Sequence, residues 1–174
     1  MNIGDKMPEF TLMGVDGKEH DNFDYADRYA IAIIFTCNTC PTSQAYWGRI
    51  QNMKSKYEED NLIMLCINSN DAVQNPDDSF DKMKEVAQSA GIFPHYLFDE
   101  TQEVAKKFGA TITPEVFLFN SKRELVYHGA IDDSWDNEFT VTRVYLEDAI
   151  EYALDGIDVD FPEIPPQGCP IRWK

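Results

Sequence analysis

The sequence predicts an α/β protein with a central mixed sheet flanked by helices, on three observations. Two continuous apolar runs rich in β-branched residues, YAIAIIFT at 29–36 and LIMLCIN at 62–68, read as strands covered on both faces. Helical periodicity follows each run, and a strand–helix–strand–helix series implies parallel pairing. Two later segments, TPEVFLF at 113–119 and ELVYHG at 124–129, are joined by the tight polar turn NSKR and should run antiparallel.

In chain order, MPEFTLMGVDGKEH at 7–20 reads as two short strands around the turn formers Asp16 and Gly17, a hairpin that precedes the main domain. After the first buried run, Tyr46, Ile50, Met53 and Tyr57 recur at helical spacing between Pro41 and Glu59, so a helix begins at or just before Cys40. The second buried run leads through the polar loop SNDAVQNPDD into a helix with Phe80, Met83, Ala87 and Ala90 on one face. HYLFD at 95–99 is a short strand, and TQEVAKKFG at 101–109 a short helix capped by Thr101 and stopped by Gly109. The final helix places Leu146, Ala149, Ile150 and Ala153 on one face and ends near Asp155 and Gly156. Residues 1–156 are expected to form one domain, and the proline-rich residues 157–174 an extended tail packed on it.

At 174 residues the chain has room for one sizeable core. Hydrophobic residues make up 43% of it, and no apolar run approaches the roughly 20 residues that span a bilayer, so a soluble protein is expected. The start MNIGDKMPEF shows no basic stretch followed by an apolar one, and the cytoplasm is the expected compartment. Fifteen basic against thirty-one acidic residues give a net charge of −16, which repels phosphate backbones and anionic lipid; neither nucleic acid nor membrane is an expected partner. The acidic stretches NDAVQNPDDSFD, AIDDSWDNE and EDAIEYALDGIDVDFPE read as solvated faces.

Four cysteines are too few for a disulfide framework, and a lone Cys-x-x-Cys in a reducing compartment is more often catalytic or metal-binding than structural. Cys37 follows a strand and precedes a helix, where unpaired N–H groups and the helix dipole favour a thiolate, the reactive form. Cys40, three residues on, is expected one turn further into the helix, placed to attack a mixed disulfide on Cys37 and release the product. A zinc site would need two further ligands, and Cys66, Cys169, His20, His95 and His128 are all isolated. Thr113-Pro114 supports the redox reading. Proline is unusual at the head of a central strand, and a cis peptide there would turn the Thr113 backbone towards the dithiol, ready to pair with an extended substrate.

The order strand, Cys-x-x-Cys, helix, strand, helix, Thr-Pro hairpin and helix resembles the thioredoxin fold. The N-terminal GDKMPEFTLMGVDGKEH resembles the extension of the redoxin group, which includes peroxiredoxins of the alkyl hydroperoxide reductase and thiol-specific antioxidant (AhpC/TSA) type. FTCNTCP, GATITPEVFLF, YHGAIDD and GCPIRWK resemble a thioredoxin-like branch of that group. The resemblance implies that Cys37 is the nucleophile, Cys40 the resolving thiol and Pro114 the cis-proline. Two departures stand out. AIAIIF lacks the buried acid that thioredoxins use as proton acceptor for the second cysteine, so the general base is unassigned. The peroxiredoxin pattern Pro-x-x-x-Thr/Ser-x-x-Cys fits neither cysteine: Ile33 and Cys37 hold its positions ahead of Cys40, and Ala30 and Ile34 ahead of Cys37.

The expected activity is thiol–disulfide exchange on a disulfide-containing protein or small thiol, with a cellular thiol reductant and no metal, flavin or nucleotide. The alternatives are a thiol-dependent peroxidase and a non-enzymatic binding or metal-carrying module. Cys37 and Cys40 are the catalytic candidates, and Thr113 and Pro114 the substrate-binding ones. Thr36, Pro41, Trp47 and Cys169 are accessory candidates; Cys169 reads as a late resolving cysteine or as packed by Ile171 and Trp173. Trp47 falls off the apolar stripe of its helix, Cys66 reads as a core residue and His128 as a surface one. Asn68, Asn70 and Asp71 leave the carboxyl end of a strand, the edge where open α/β sheets place ligands.

Overall fold

In the computed structural model, which describes residues 1–174, two short strands, β1 (Thr11–Gly14) and β2 (Glu19–Asp21), fold back on each other. Next come β3 (Ala30–Thr36), α1 (Pro41–Tyr57), β4 (Leu62–Asn68), α2 (Phe80–Ala90) and β5 (Tyr96–Phe98), with the last three strands parallel. The chain continues through α3 (Glu103–Phe108), β6 (Ile112–Thr113), β7 (Glu115–Phe119), β8 (Leu125–Gly129), α4 (Tyr145–Leu154), β9 (Glu163–Ile164) and β10 (Cys169–Pro170). Eight strands form one sheet in the order β2-β1-β5-β4-β3-β7-β8-β9, and β6 pairs with β10 in a second, two-stranded sheet. Because β7 is antiparallel to both β3 and β8, the central sheet is mixed, as in the thioredoxin fold.

Alternation along the central strands divides the core in two. Ala30, Ala32 and Ile34 face a core with Met64 and Cys66, covered by Tyr46, Ile50, Met53 and Tyr57 of α1, Met83 and Ala87 of α2, and Leu146 and Ile150 of α4. Ile31, Ile33 and Phe35 face the opposite core with Leu65, Phe117 and Phe119, covered by Val104, Ala105 and Phe108 of α3 and by Phe10 and Leu12. Apolar cover on both faces explains why β3 and β4 are unbroken apolar runs; a strand with one wet face would alternate. No helix is long and apolar enough to cross a membrane.

The hairpin is part of the main sheet, β1 pairing with β5 through Met13 and Phe98. Three expectations are corrected. The segment 113–119 is not one strand. It breaks at Pro114, which follows a cis peptide and has no N–H to give a ladder, so β6 and β7 join different sheets. The cap of α3 is Asp99, which accepts hydrogen bonds from Val104 N and Ala105 N at 3.3 and 2.9 Å, whereas Thr101 Oγ1 reaches only Glu103 N at 3.4 Å. The acidic stretches are not wholly solvated faces, because Asp78 is 0% and Asp132 8% exposed. Asp132 is held by Tyr46 Oη at 2.6 Å and Arg49 Nη1 at 2.8 Å, which removes the cost of burying its charge unpaired. In residues 157–174, β9 pairs with β8, β10 with β6, and Ile171 joins the core beside α3.

Candidate active site

Cys37 directly follows Thr36, the last residue of β3, and Cys40 is the N-cap residue of α1, with φ −77° and ψ 124°. Both cysteines therefore precede the helix, whereas the sequence placed Cys40 one turn inside it. Pro41 stops an earlier start: its fixed φ suits the first helical position, where no N–H is needed. Gln44 braces the loop, its backbone N–H donating to Cys40 O at 2.9 Å and its side-chain amide to Asn38 O at 2.8 Å.

The disulfide in the structure joins Cys40 to Cys169, not to Cys37, across 129 residues of sequence and a Cα–Cα distance of 6.0 Å. Cys37 is a free thiol, 1% exposed. Cys169 is brought there by β10, which pairs antiparallel with β6 in the register Cys169 to Thr113. Gly168 permits this approach, since a Cβ at that position would overlap the Thr113 carbonyl. Beyond Cys169 the chain is anchored. Ile171 N donates to Thr111 O at 2.9 Å, Arg172 N donates to Asn70 Oδ1 at 2.9 Å, and Arg172 O accepts from Asp71 N and the Gln102 amide.

Thr113 is the residue on which the three cysteines converge, two through sulfur and Cys169 through its carbonyl. Its Oγ1 lies 3.5 Å from Cys37 Sγ and donates to Cys169 O at 3.2 Å, while its carbonyl oxygen lies 3.6 Å from Cys40 Sγ. A hydroxyl has one proton. With that proton on the Cys169 carbonyl, the Thr113 oxygen meets Cys37 as an acceptor, and Cys37 is left to donate its S–H.

Two buried carboxylates that the sequence left out of the site complete it. Asp78, from the loop after β4, accepts from Asn38 N and Thr39 Oγ1, each at 2.8 Å, and from the side-chain amides of Asn68 and Asn70 at 3.1 and 3.0 Å. Thr39 Oγ1 lies in turn 4.0 Å from Cys37 Sγ, so a carboxylate, a hydroxyl and a thiol stand in line. Asn68 and Asn70 thus reach the site through Asp78, and Asp71 belongs to the anchor of Arg172. Tyr96 Oη donates to Asn38 Oδ1 at 2.7 Å, and burial holds its phenol well above the ordinary range. Glu115, directly after Pro114, accepts from Thr111 N and Ile112 N at 2.9 and 3.1 Å and pairs with His128 Nε2 at 2.5 Å. It fixes β6, the strand that carries Thr113. The sequence held only a partial signal for each, Asp78 in the loop that leaves the carboxyl end of β4 and Glu115 as a charge inside an otherwise apolar strand, and neither signal shows the burial that puts the carboxylate in the site.

Of the accessory candidates, Thr36 is fully buried and its hydroxyl has no hydrogen-bond partner, Pro41 is exposed, and Trp47 packs edge-on against Tyr96 at 5.7 Å between ring centroids. Cys66 lies in the core away from these groups, and burial pushes its thiol up to about 12. No group of three or more His, Cys, Asp or Glu side chains is placed to hold a metal ion.

Residues 3–128 match the model of the AhpC/TSA family. A solved structure of an uncharacterised conserved protein from Geobacillus kaustophilus is 36% identical, with a TM-score of 0.93 over 99% of this chain and 93% of that one. A hypothetical protein from Sinorhizobium meliloti is 31% identical, with a TM-score of 0.95 over 100% and 96%. A thiol:disulfide interchange protein of the thioredoxin family from Chlorobium tepidum shares the fold at 15% identity, with a TM-score of 0.69 over 88% and 99%. No curated protein matches the chain.

Proposed function

The chain belongs to the AhpC/TSA family, and from that premise we propose that it is a thiol–disulfide oxidoreductase in which Cys37 attacks a substrate disulfide and Cys40 resolves the mixed disulfide. The observation that carries this reading is the convergence at Thr113: a free thiol, a sulfur already engaged in a disulfide and the edge of a short strand meet at one residue. Attack by the Cys37 thiolate forms a Cys37–substrate disulfide and expels the first substrate thiolate. Attack by Cys40 on Cys37 Sγ then forms the Cys37–Cys40 disulfide and expels the second, so two electrons pass to the substrate. Asp78, through Thr39, is the carboxylate best placed to accept a proton from Cys37; the contacts of Cys40 Sγ are Cys169 and the Thr113 carbonyl, so the acceptor for the second cysteine is still unassigned.

Extended segments that pair with β6 at Thr113 and Pro114, or small disulfides, are the substrate class, and a cellular thiol closes the cycle. A reducing compartment, the cytoplasm, suits such a dithiol. The test is turbidity from insulin reduction by dithiothreitol. The protein should accelerate it and Cys37→Ser should abolish the acceleration; an unchanged rate with intact wild-type thiols would sink the proposal.

A second reading, a thiol-dependent peroxidase, draws support from the family and from the partnership of Cys40 with a distant cysteine. In it a hydroperoxide would oxidise Cys40 to a sulfenic acid, which Cys169 would condense with to form the disulfide and release water. Against it, the polar contacts of Cys37 and Cys40 are confined to Thr39 and Thr113, with no cationic or amide side chain to polarise a peroxide. Thiol loss within seconds on one equivalent of hydroperoxide would favour this reading over the first.

A further inference from the structure

We propose that Cys169 is a third redox centre: the disulfide passes from Cys37–Cys40 to Cys40–Cys169, which returns Cys37 to a thiol and closes the Thr113 edge with the protein's own strand. The proposal rests on the oxidoreductase reading for the origin of the Cys37–Cys40 disulfide.

Four observations point the same way. The disulfide present is Cys40–Cys169, and Cys37 is reduced beside it. β10 fills the hydrogen-bonding edge of β6, so an extended substrate and the tail cannot both pair with Thr113. The tail is held on both sides of Cys169, upstream by β9 on β8 and downstream by Ile171 and Arg172, so Cys169 stays near Cys40 when the bond is open. Exchange is then intramolecular, at high effective concentration. Finally, Cys37 and Cys40 are 1% and 3% exposed, whereas Cys169 is partly exposed. An external thiol meets Cys169 first.

The steps balance without a further oxidant. The Cys169 thiolate, its proton given to solvent, attacks Cys40 Sγ; the Cys40–Cys169 bond forms and the Cys37–Cys40 bond breaks. The electron pair leaves on Cys37 Sγ, which takes up a proton, and no electrons are gained or lost. With the tail docked, the Thr113 hydroxyl donates to Cys169 O, so it is not free to donate to Cys37 Sγ, 3.5 Å away. A dithiol reductant then attacks Cys169 Sγ, Cys40 leaves as thiolate, and the second thiol of the reductant releases Cys169. Reduction removes the covalent tie only; β9, Ile171 and Arg172 keep the tail on the domain, and it is the short β10–β6 pairing at Thr113 that can then open to substrate.

The test is disulfide mapping by acid quench, alkylation and peptide mass spectrometry after one equivalent of diamide is added to the fully reduced protein. The expected course is a Cys37–Cys40 disulfide that forms first and decays into Cys40–Cys169, with Cys37 alkylatable at the end. Cys169→Ser should stop at Cys37–Cys40 and be re-reduced by a dithiol about tenfold more slowly or worse, because its disulfide lies wholly under the tail. A stable Cys37–Cys40 end state in the wild type, with Cys169 alkylatable, would overturn the proposal. Re-reduction of Cys169→Ser at the wild-type rate would overturn the port role. Diamide replaces the substrate, so failure of insulin reduction with the expected map intact counts against the activity alone.

Discussion

Asp78 has no exposed surface and serves donors from three places: the cysteine loop, the end of β4 and the loop that follows it. Replacing it by alanine leaves buried donors unpaired, and each such loss costs about 1–3 kcal/mol. Asp78→Ala should therefore lower unfolding free energy by about 3 kcal/mol or more in urea titration and slow insulin reduction, while Asp78→Asn, which keeps the shape, should lose activity with less loss of stability. A stability effect without an effect on the rate in both variants would remove Asp78 from the site. His95 makes a separate statement about pH. Burial, then the charge of Lys54, lowers its pKa from 6.5 to about 4, and its Nδ1 has no partner. The unfolded chain binds the proton more readily, so stability is retained above pH 6.5 and declines as pH falls towards 4. His95→Leu should flatten the stability profile in that window relative to wild type; parallel profiles would contradict the assignment.

Short elements set the position of the site, and two glycines permit their approach. Gly129 has φ +138°, and a Cβ there would overlap the Ile164 carbonyl of β9; Gly168 stands in the same relation to Thr113. Gly129→Ala should cost about 1–3 kcal/mol through its strained backbone, and either substitution should raise hydrogen exchange across residues 163–172 while leaving α1 and α2 protected. The contrast with what could be read in advance is one of length. β3, α1, β4 and α2 carry enough residues for a periodic signal, and their buried faces were legible from it. β6, β9 and β10 have two residues each, which is too few to show a period, so the pairing of the tail with the edge at Thr113 left no trace in the pattern. Cys37 and Cys40 stood out as candidates, and the cis bond at Thr113-Pro114 was legible, because special residue types mark them, whereas the partnership of Cys40 with Cys169 was not legible. Asp78 and Glu115 were not, because burial of a carboxylate depends on partners that only the folded chain assembles.

Taken as a whole, the molecule is closed by residues 163–172. The Cys40–Cys169 bond spans 129 residues of sequence, and a crosslink over a long loop restricts the unfolded chain strongly; such bonds typically contribute about 2–4 kcal/mol. Reduction should therefore lower the urea midpoint by that equivalent, and Cys169→Ser should be as stable as the reduced wild type. Ile171, 3% exposed in the core under α3, is the non-covalent anchor, and Ile171→Ala should cost about 2–4 kcal/mol in either redox state. Equal stability of the oxidised and reduced forms would mean that the bond closes nothing that folding had not already closed.

The central claim is that Cys37 is the attacking sulfur, and trapping tests it most directly. In a protein carrying Cys40→Ser and Cys169→Ser, the only thiols are Cys37 and the core residue Cys66. Incubated with a disulfide-containing peptide, this variant should accumulate one mixed disulfide per chain, mapped to Cys37 by peptide mass and released by dithiothreitol. A chain that forms no adduct while Cys37 remains alkylatable, or one whose adduct maps to Cys66, would contradict the account.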